Sequence, residues 1–288
     1  IITCLLILGK LKGEWAECRG ERFDLYGSVI YAAALVLVMY GFSLMPDITG
    51  ILLVAAGCLI GIIFVLYEMR IPAPVLDMRL LTKNRVFAFS NLAALISYSA
   101  TFAVTFLLSL DLQYTKSLSP EQAGLILIVQ PAVMALVSPI AGRLSDRIDP
   151  QVVASAGMAF SATGLFLLVF LVESTPIWYL VICLAVLGMG LGMFASPNTN
   201  AIMSSVENRH LGIASGMNAT VRSLGQLLSM AIAMFCFSVF IGPAPITPVV
   251  YPDLMTSITV AFTVFSVLCI AGVGASYVRG TIHQKEGE

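Results

Sequence analysis

Long apolar runs separated by short polar clusters dominate this chain. A bilayer core of roughly 30 Å is crossed by about 20 apolar residues in a helix, and eight stretches meet or approach that length: 26–45, 50–67, 86–110, 124–141, 152–172, 177–195, 224–242 and 255–278. The breaks carry helix-ending and helix-starting chemistry. Met45-Pro46-Asp47 separates the first stretch from the second, and Ser119-Pro120-Glu121-Gln122 reads as a capping box with proline at the first helical position. The pattern predicts an all-α, polytopic membrane protein.

Composition changes this picture mainly by exclusion. Hydrophobic residues make up 59% of the 288 and charged residues 11%, too little polarity to cover a water-facing surface. A net charge of -1 offers no basic field to a nucleic acid. The six cysteines stand one to a segment without a C-x-x-C, and His210 and His283 lie far apart. Neither a metal site nor a disulfide framework is read, and no cofactor is expected. The spans hold no Ser/His/Asp, Cys/His or metal-ligand constellation, which argues against an enzyme.

The basic residues set the orientation. Lys10, Lys12, Arg19 and Arg22 precede the first span, and Arg70, Arg79, Lys83 and Arg85 follow the second. Arg143 and Arg147 follow the fourth, Arg209 and Arg222 the sixth, Arg279 and Lys285 the eighth. With eight alternating spans, fourteen of the fifteen basic residues share one face and Lys116 stands alone opposite. The positive-inside rule makes the basic face cytoplasmic, together with the C-terminus, in a plasma or inner cell membrane. Residues 1–9 are apolar but too short to cross, and are expected to be the end of a truncated transmembrane helix. A cytoplasmic loop at 10–25, a two-helix hairpin at 26–67, a cytoplasmic linker at 68–85, a six-helix block at 86–279 and a cytoplasmic tail at 280–288 complete the expected organisation.

Polar side chains inside spans are costly in lipid and mark candidate function. The third span is the most polar, with Asn91, Ser97, Tyr98, Thr101 and Thr105. Ser97, Thr101 and Thr105 recur at i+4 and are expected on one face, either lining a substrate cavity or bonding back to their own helix. Gln130-Pro131 interrupts the fourth span; Pro131 predicts a kink, either a gate or a shape feature, and Gln130 a substrate contact. Gly188, Gly190 and Gly192 straddle two faces of the sixth span and suit close helix approach. Asn198, just beyond that span, either lines the inner mouth or ends the helix. Helix from about Leu211 places Arg222 near 16 Å along it, holding an anionic group or a helix end, or snorkelling to the surface. Asp111 is the acidic residue nearest to being embedded.

Gly142-Arg143-Leu144-Ser145-Asp146-Arg147, between the fourth and fifth spans, resembles the cytoplasmic loop signature of the major facilitator superfamily in its C-terminal copy, without the usual continuation, since Ile148-Asp149-Pro150 stands there. Leu112-Gln113-Tyr114, Ser119 to Gly124, Pro131, Ser196-Pro197-Asn198 and Gly212 to Gly216 with Arg222 and Gly225 are similar to the fourteen-span drug/proton antiporter branch. So is the hairpin between two six-helix halves. The resemblance implies a six-helix transporter half working with an N-terminal half by alternating access, and proton-driven export of amphipathic or cationic small molecules. It also implies that Gly142, Arg143, Asp146 and Arg147 act in a conformational lock. By their positions in the spans Asp111, Pro131 and Arg222 are candidates for gating or coupling, and with Asp111 the one near-embedded acid, a proton-coupling acid is expected in the N-terminal half. Asp111 replaces an aromatic residue that often precedes Leu-Gln in this branch. A metabolite importer or uniporter and a non-transporting membrane interaction fragment are the alternatives.

Overall fold

A computed structural model describes residues 24–71, 78–242 and 247–278. The segment expected at 1–9, all but the end of the 10–25 loop, and the 280–288 tail lie outside the described residues. Regular structure among the described residues is entirely helical. Helices α1 (Leu25–Ser43) and α2 (Ile48–Glu68) form the hairpin. The linker contains a short helix, α3 (Met78–Lys83), that the sequence pattern did not predict. The bundle follows: α4 (Arg85–Thr101), α5 (Val104–Leu110), α6 (Pro120–Leu127), α7 (Val129–Ser145), α8 (Pro150–Leu168), α9 (Ile177–Ser204), α10 (Leu211–Phe240) and α11 (Tyr251–Val278). Eight helical segments among the described residues are long and apolar enough to cross a membrane, the number the hydrophobic runs predict.

Local chemistry explains where these helices start and break. Asn84 begins α4 by accepting a hydrogen bond from the Phe87 N–H at 3.0 Å while its amide donates to the Ser205 carbonyl. The predicted capping box opens α6, with the Gln122 N–H donating to the Ser119 hydroxyl at 3.3 Å and the Ser119 N–H donating to the Gln122 side chain at 3.1 Å. Pro131 has no N–H for the Leu127 carbonyl, and the fourth span is interrupted beside it at Ile128, dividing α6 from α7.

Two spans run on past their expected ends. The sixth span does not stop near residue 195: α9 runs on through Pro197 to Ser204. The third span does not end at residue 110 but is built in three pieces. It breaks at Phe102 and Ala103, resumes as α5 and finishes in a π-helical turn at Asp111–Thr115. In lipid a freed backbone N–H must find another partner, and at this break the Ala103 N–H donates to the Ser229 hydroxyl of α10 at 2.9 Å.

Lipid tails are as apolar as a leucine, so helices associate here through close packing at small residues rather than by escape from water. α9 packs between α7 and α8, and its alternating glycines serve both neighbours. A methyl at Gly188 would overlap the Gln130 carbonyl and one at Gly192 would press on Val137, whereas one at Gly190 would collide with Ser161 and Gly157 of α8. α4 packs against α10 and α11, and α11 against α8. The largest buried cluster, including Leu107, Leu112, Leu165, Leu184, Ile258 and Phe262, fills the bundle away from the basic loops. Only smaller clusters, around Met158 and Phe194 and around Phe87 and Ile202, hold the end that carries those loops. Outside the bundle, α1 and α2 pair with each other, and the hairpin rests on α10, where the Tyr31 hydroxyl donates to the Thr220 hydroxyl at 3.0 Å.

Candidate functional site

The looser packing toward the basic end leaves two linked cavities on one face of the bundle. The outer one, about 660 Å³, lies at the basic end among Ser138, Gly142, Asp146, Ser196, Thr199 and Asn200. The deeper one, about 630 Å³, runs into the membrane-spanning region past Thr101, Thr105, Ser109, Gln130 and Gln226. Tyr98, Ala195 and Arg222 line both, and so form the waist between them.

Three spans build that waist. Gly225 of α10 meets α4 so closely that a methyl on it would stand 2.9 Å from the Leu95 carbonyl oxygen and from Tyr98 Cβ. This approach brings Arg222, one turn earlier on α10, beside Tyr98, and the guanidinium carbon sits 5.2 Å from the centre of the tyrosine ring. A cation over an aromatic face gains electrostatic attraction without needing a carboxylate. From α9, the small Ala195 leaves the passage open.

Of the seven residues expected in the cavity, Tyr98, Thr101, Thr105 and Gln130 line it. Gln130 is more than nine-tenths buried and its side-chain oxygen, buried with it, has no hydrogen-bond partner among the described residues. The other three line neither cavity. Asn91 is buried and donates back to the Phe87 carbonyl at 2.9 Å, the alternative fate weighed for serine and threonine. Ser97 is fully buried inside the bundle and lines neither cavity, although Thr101 and Thr105 of the same expected face do. Asn198 neither lines the mouth nor ends α9; its amide donates to the Ser90 carbonyl of α4 at 3.1 Å and ties two helices together.

The loop signature divides in a similar way. Gly142 and Asp146 line the outer cavity, while Arg143 and Arg147 are exposed at the helix end. Pro131 stands next to Gln130, three residues past the break at Ile128. Asp111 is fully buried in the π-helical turn, away from both cavities, and no hydrogen-bond donor of normal geometry reaches either of its oxygens. Its neighbour Lys116 instead reaches the carbonyls of Glu173 and Thr175, the latter at 2.7 Å, and closes that end of the bundle.

Sequence reasoning missed several contributors. Gln226 lies four residues after Arg222 and therefore on the same helix face, a signal that was available. Phe102 and Phe106 extend the Tyr98 side at the same spacing and line the deeper cavity. Among the described residues, that deeper lining contains one cation and no carboxylate.

Comparison with known proteins places this architecture. Riboflavin transporter RibZ of Clostridioides difficile (strain 630) is 30% identical over 231 residues, covering 80% of this chain and 50% of that protein. Uncharacterized transporter YebQ of Escherichia coli (strain K12) is 30% identical over 248 residues, covering 83% of this chain and 53% of that protein. Multidrug resistance protein Stp of Mycobacterium tuberculosis (strain CDC 1551 / Oshkosh) is 27% identical over 222 residues, covering 74% of this chain and 40% of that protein. The chain thus spans about half the length of these relatives or less. Residues 90–288, which take in the six-span bundle and its cavity face, match the family description Major Facilitator Superfamily, and the chain belongs to that superfamily of transporters.

Proposed function

We propose that this chain is the C-terminal portion of a proton-coupled exporter of amphipathic compounds, in the fourteen-span drug/proton antiporter branch. The cavity face carries the reading: polar and aromatic side chains from several spans converge at membrane depth, where each would otherwise be costly. A second six-span half, expected N-terminal to this one, would cover that face, and the two halves would rock about the site they share. Relatives of about twice this length support a two-half carrier, and one of them is named for multidrug resistance. The basic loops and the C-terminus are placed in the cytoplasm, and the membrane is the plasma or inner membrane. Within the bundle Asp111 is the buried acid this chain offers for proton binding, and Gly142, Asp146 and the helix breaks at Ile128 and Phe102 are the parts that move. Alternation requires inward and outward states within a few kcal/mol of each other, so that substrate and protons can shift the balance.

A second reading, a metabolite carrier acting as importer or uniporter, is favoured by the riboflavin transporter among the relatives. Both are tested on protein purified from its own membrane, with whatever precedes Ile1, and reconstituted into vesicles. An imposed proton gradient is expected to drive accumulation of amphipathic dyes, and dye addition is expected to release protons. Riboflavin flux indifferent to that gradient selects the second reading. Binding of a protein partner with no flux of any compound points instead to a non-transporting interaction fragment.

A further inference from the structure

We infer that the waist at Arg222 and Tyr98 is an anion subsite, and that the cavity takes flat aromatic compounds carrying a carboxylate, sulfonate or phosphate. The inference deepens the carrier reading, on which it rests for the location of the site, by naming a substrate class.

Arg222 is not an end-of-helix anchor. It lies eleven residues after the start of α10, about 16 Å along the axis, where an arginine is costly and is found facing a bundle interior or a watered cavity. Among the described residues no carboxylate forms an ion pair with it. None of its five N–H donors has an acceptor among the described residues, and its guanidinium lies against the Tyr98 ring. The surrounding elements present mostly uncharged groups. α4 and α5 present Tyr98, Thr101 and Thr105, α9 presents Thr199 and Asn200, and α10 itself adds Gln226, all uncharged. α7 presents the uncharged Gln130 and then Asp146, the sole carboxylate among the lining residues of either cavity, which makes no ion pair with Arg222.

The geometry around this cation describes the rest of the ligand. Tyr98, Phe102 and Phe106 recur every four residues along the third span and border the deeper cavity beside the guanidinium. A planar aromatic body fits against such a wall. A guanidinium offers paired, coplanar donors to a two-oxygen anion, so the anionic group binds at the waist and the ring system extends inward. Gln130, Thr101 and Thr105 add uncharged polar groups to the same lining. A cationic aromatic compound of equal size meets the same wall but is repelled at the waist.

Two xanthene dyes of nearly the same shape and opposite charge test this: fluorescein, an anion at neutral pH, and rhodamine 6G, a cation. Their binding to the purified full-length protein is followed by fluorescence polarisation, which requires no flux. Arg222→Gln is expected to weaken fluorescein by about tenfold or more, the loss of a charge-assisted pair, while rhodamine 6G binds unchanged or tighter. Arg222→Lys, which keeps the charge without the fork, is expected to fall between. Equal weakening of both dyes by Arg222→Gln, or fluorescein binding indifferent to it, overturns the subsite. If Arg222→Gln does not fold, Arg222→Lys decides, since unchanged fluorescein affinity in that variant overturns it and a selective loss supports it. Vesicle flux separates the two levels of the argument. Fluorescein bound at Arg222 but never transported sinks the carrier and leaves the subsite, whereas dye export with Arg222-independent binding does the reverse.

Discussion

Asp111 is the residue whose placement is hardest to justify by stability alone. It is fully exposed to protein and not to solvent, beside Leu108 and Leu112 of the main cluster, and Lys116 spends its donors on backbone carbonyls rather than on this carboxyl. A buried polar group without a partner costs about 1–3 kcal/mol. Asp111→Leu is therefore expected to raise the thermal unfolding midpoint of the purified protein, with a gain of that order, because it replaces an unsatisfied carboxyl by a side chain its neighbours already match. Asp111→Asn keeps the shape without the titrating proton and is expected to retain dye binding while losing proton release on dye addition. If Asp111→Leu lowers the midpoint, the carboxyl has a partner and the cost argument fails. If Asp111→Asn couples normally, the coupling acid lies elsewhere in the protein. The departure from the aromatic residue of related sequences was visible along the chain, but burial was not, because nothing local signals that the helix continues past residue 110 in π-helical form.

At the scale of elements, the third span shows how far local sequence carries. Its length and polarity were legible, and so was the fourth span's interruption, because proline announces a missing donor. The break at Phe102 and Ala103 has no such marker. It is stabilised by Ser229, more than a hundred residues away, whose hydroxyl accepts the freed Ala103 N–H. Asn91 and Asn198 lie away from the cavity because each amide donates to a backbone carbonyl, Asn91 within its own helix and Asn198 across to α4, the second of which only the fold supplies. Gln130 and Tyr98, polar groups at mid-span, do line the deeper cavity. Ser229→Ala is expected to destabilise the bundle by about 1–3 kcal/mol, the cost of an orphaned buried donor, and to speed amide exchange near Ala103 while leaving the capping box of α6 unaffected. A second contrast concerns the glycines. A methyl at Gly190 meets the Ser161 and Gly157 backbone, whereas Gly61 faces open space on the hairpin. Gly190→Ala is expected to cost about 1–3 kcal/mol by overpacking, and Gly61→Ala to be neutral or to stabilise by up to about 1 kcal/mol through helix propensity; the two are read side by side in thermal unfolding.

For the whole molecule, uneven packing and sidedness belong together. The heavy cluster of leucines and phenylalanines closes the bundle at the end where Lys116 grips the α8–α9 connection, while the outer cavity opens among Asn200, Gly142 and Asp146 at the end with the basic loops. Packing of this kind leaves the cavity reachable from the basic side. Three spans separate Glu121 from Asn200, so the two residues emerge on opposite faces whatever the absolute orientation. Both are exposed and suit labelling by a membrane-impermeant maleimide. The described native cysteines interfere little, because Cys183, Cys236 and Cys269 are buried and Cys58 lies within a span; Cys4 and Cys18 are replaced by serine in the background protein. With the basic loops cytoplasmic, Glu121→Cys is expected to react in intact cells and Asn200→Cys only in inverted vesicles, and fluorescein is expected to slow the second reaction by filling the cavity without touching the first. Reaction of both from one side contradicts the three intervening crossings, and reversed sidedness contradicts the cytoplasmic placement of the basic loops. Dye protection confined to Asn200→Cys ties the cavity to ligand, since Glu121 stands at the far, closed end and has no route by which a ligand in the cavity shields it.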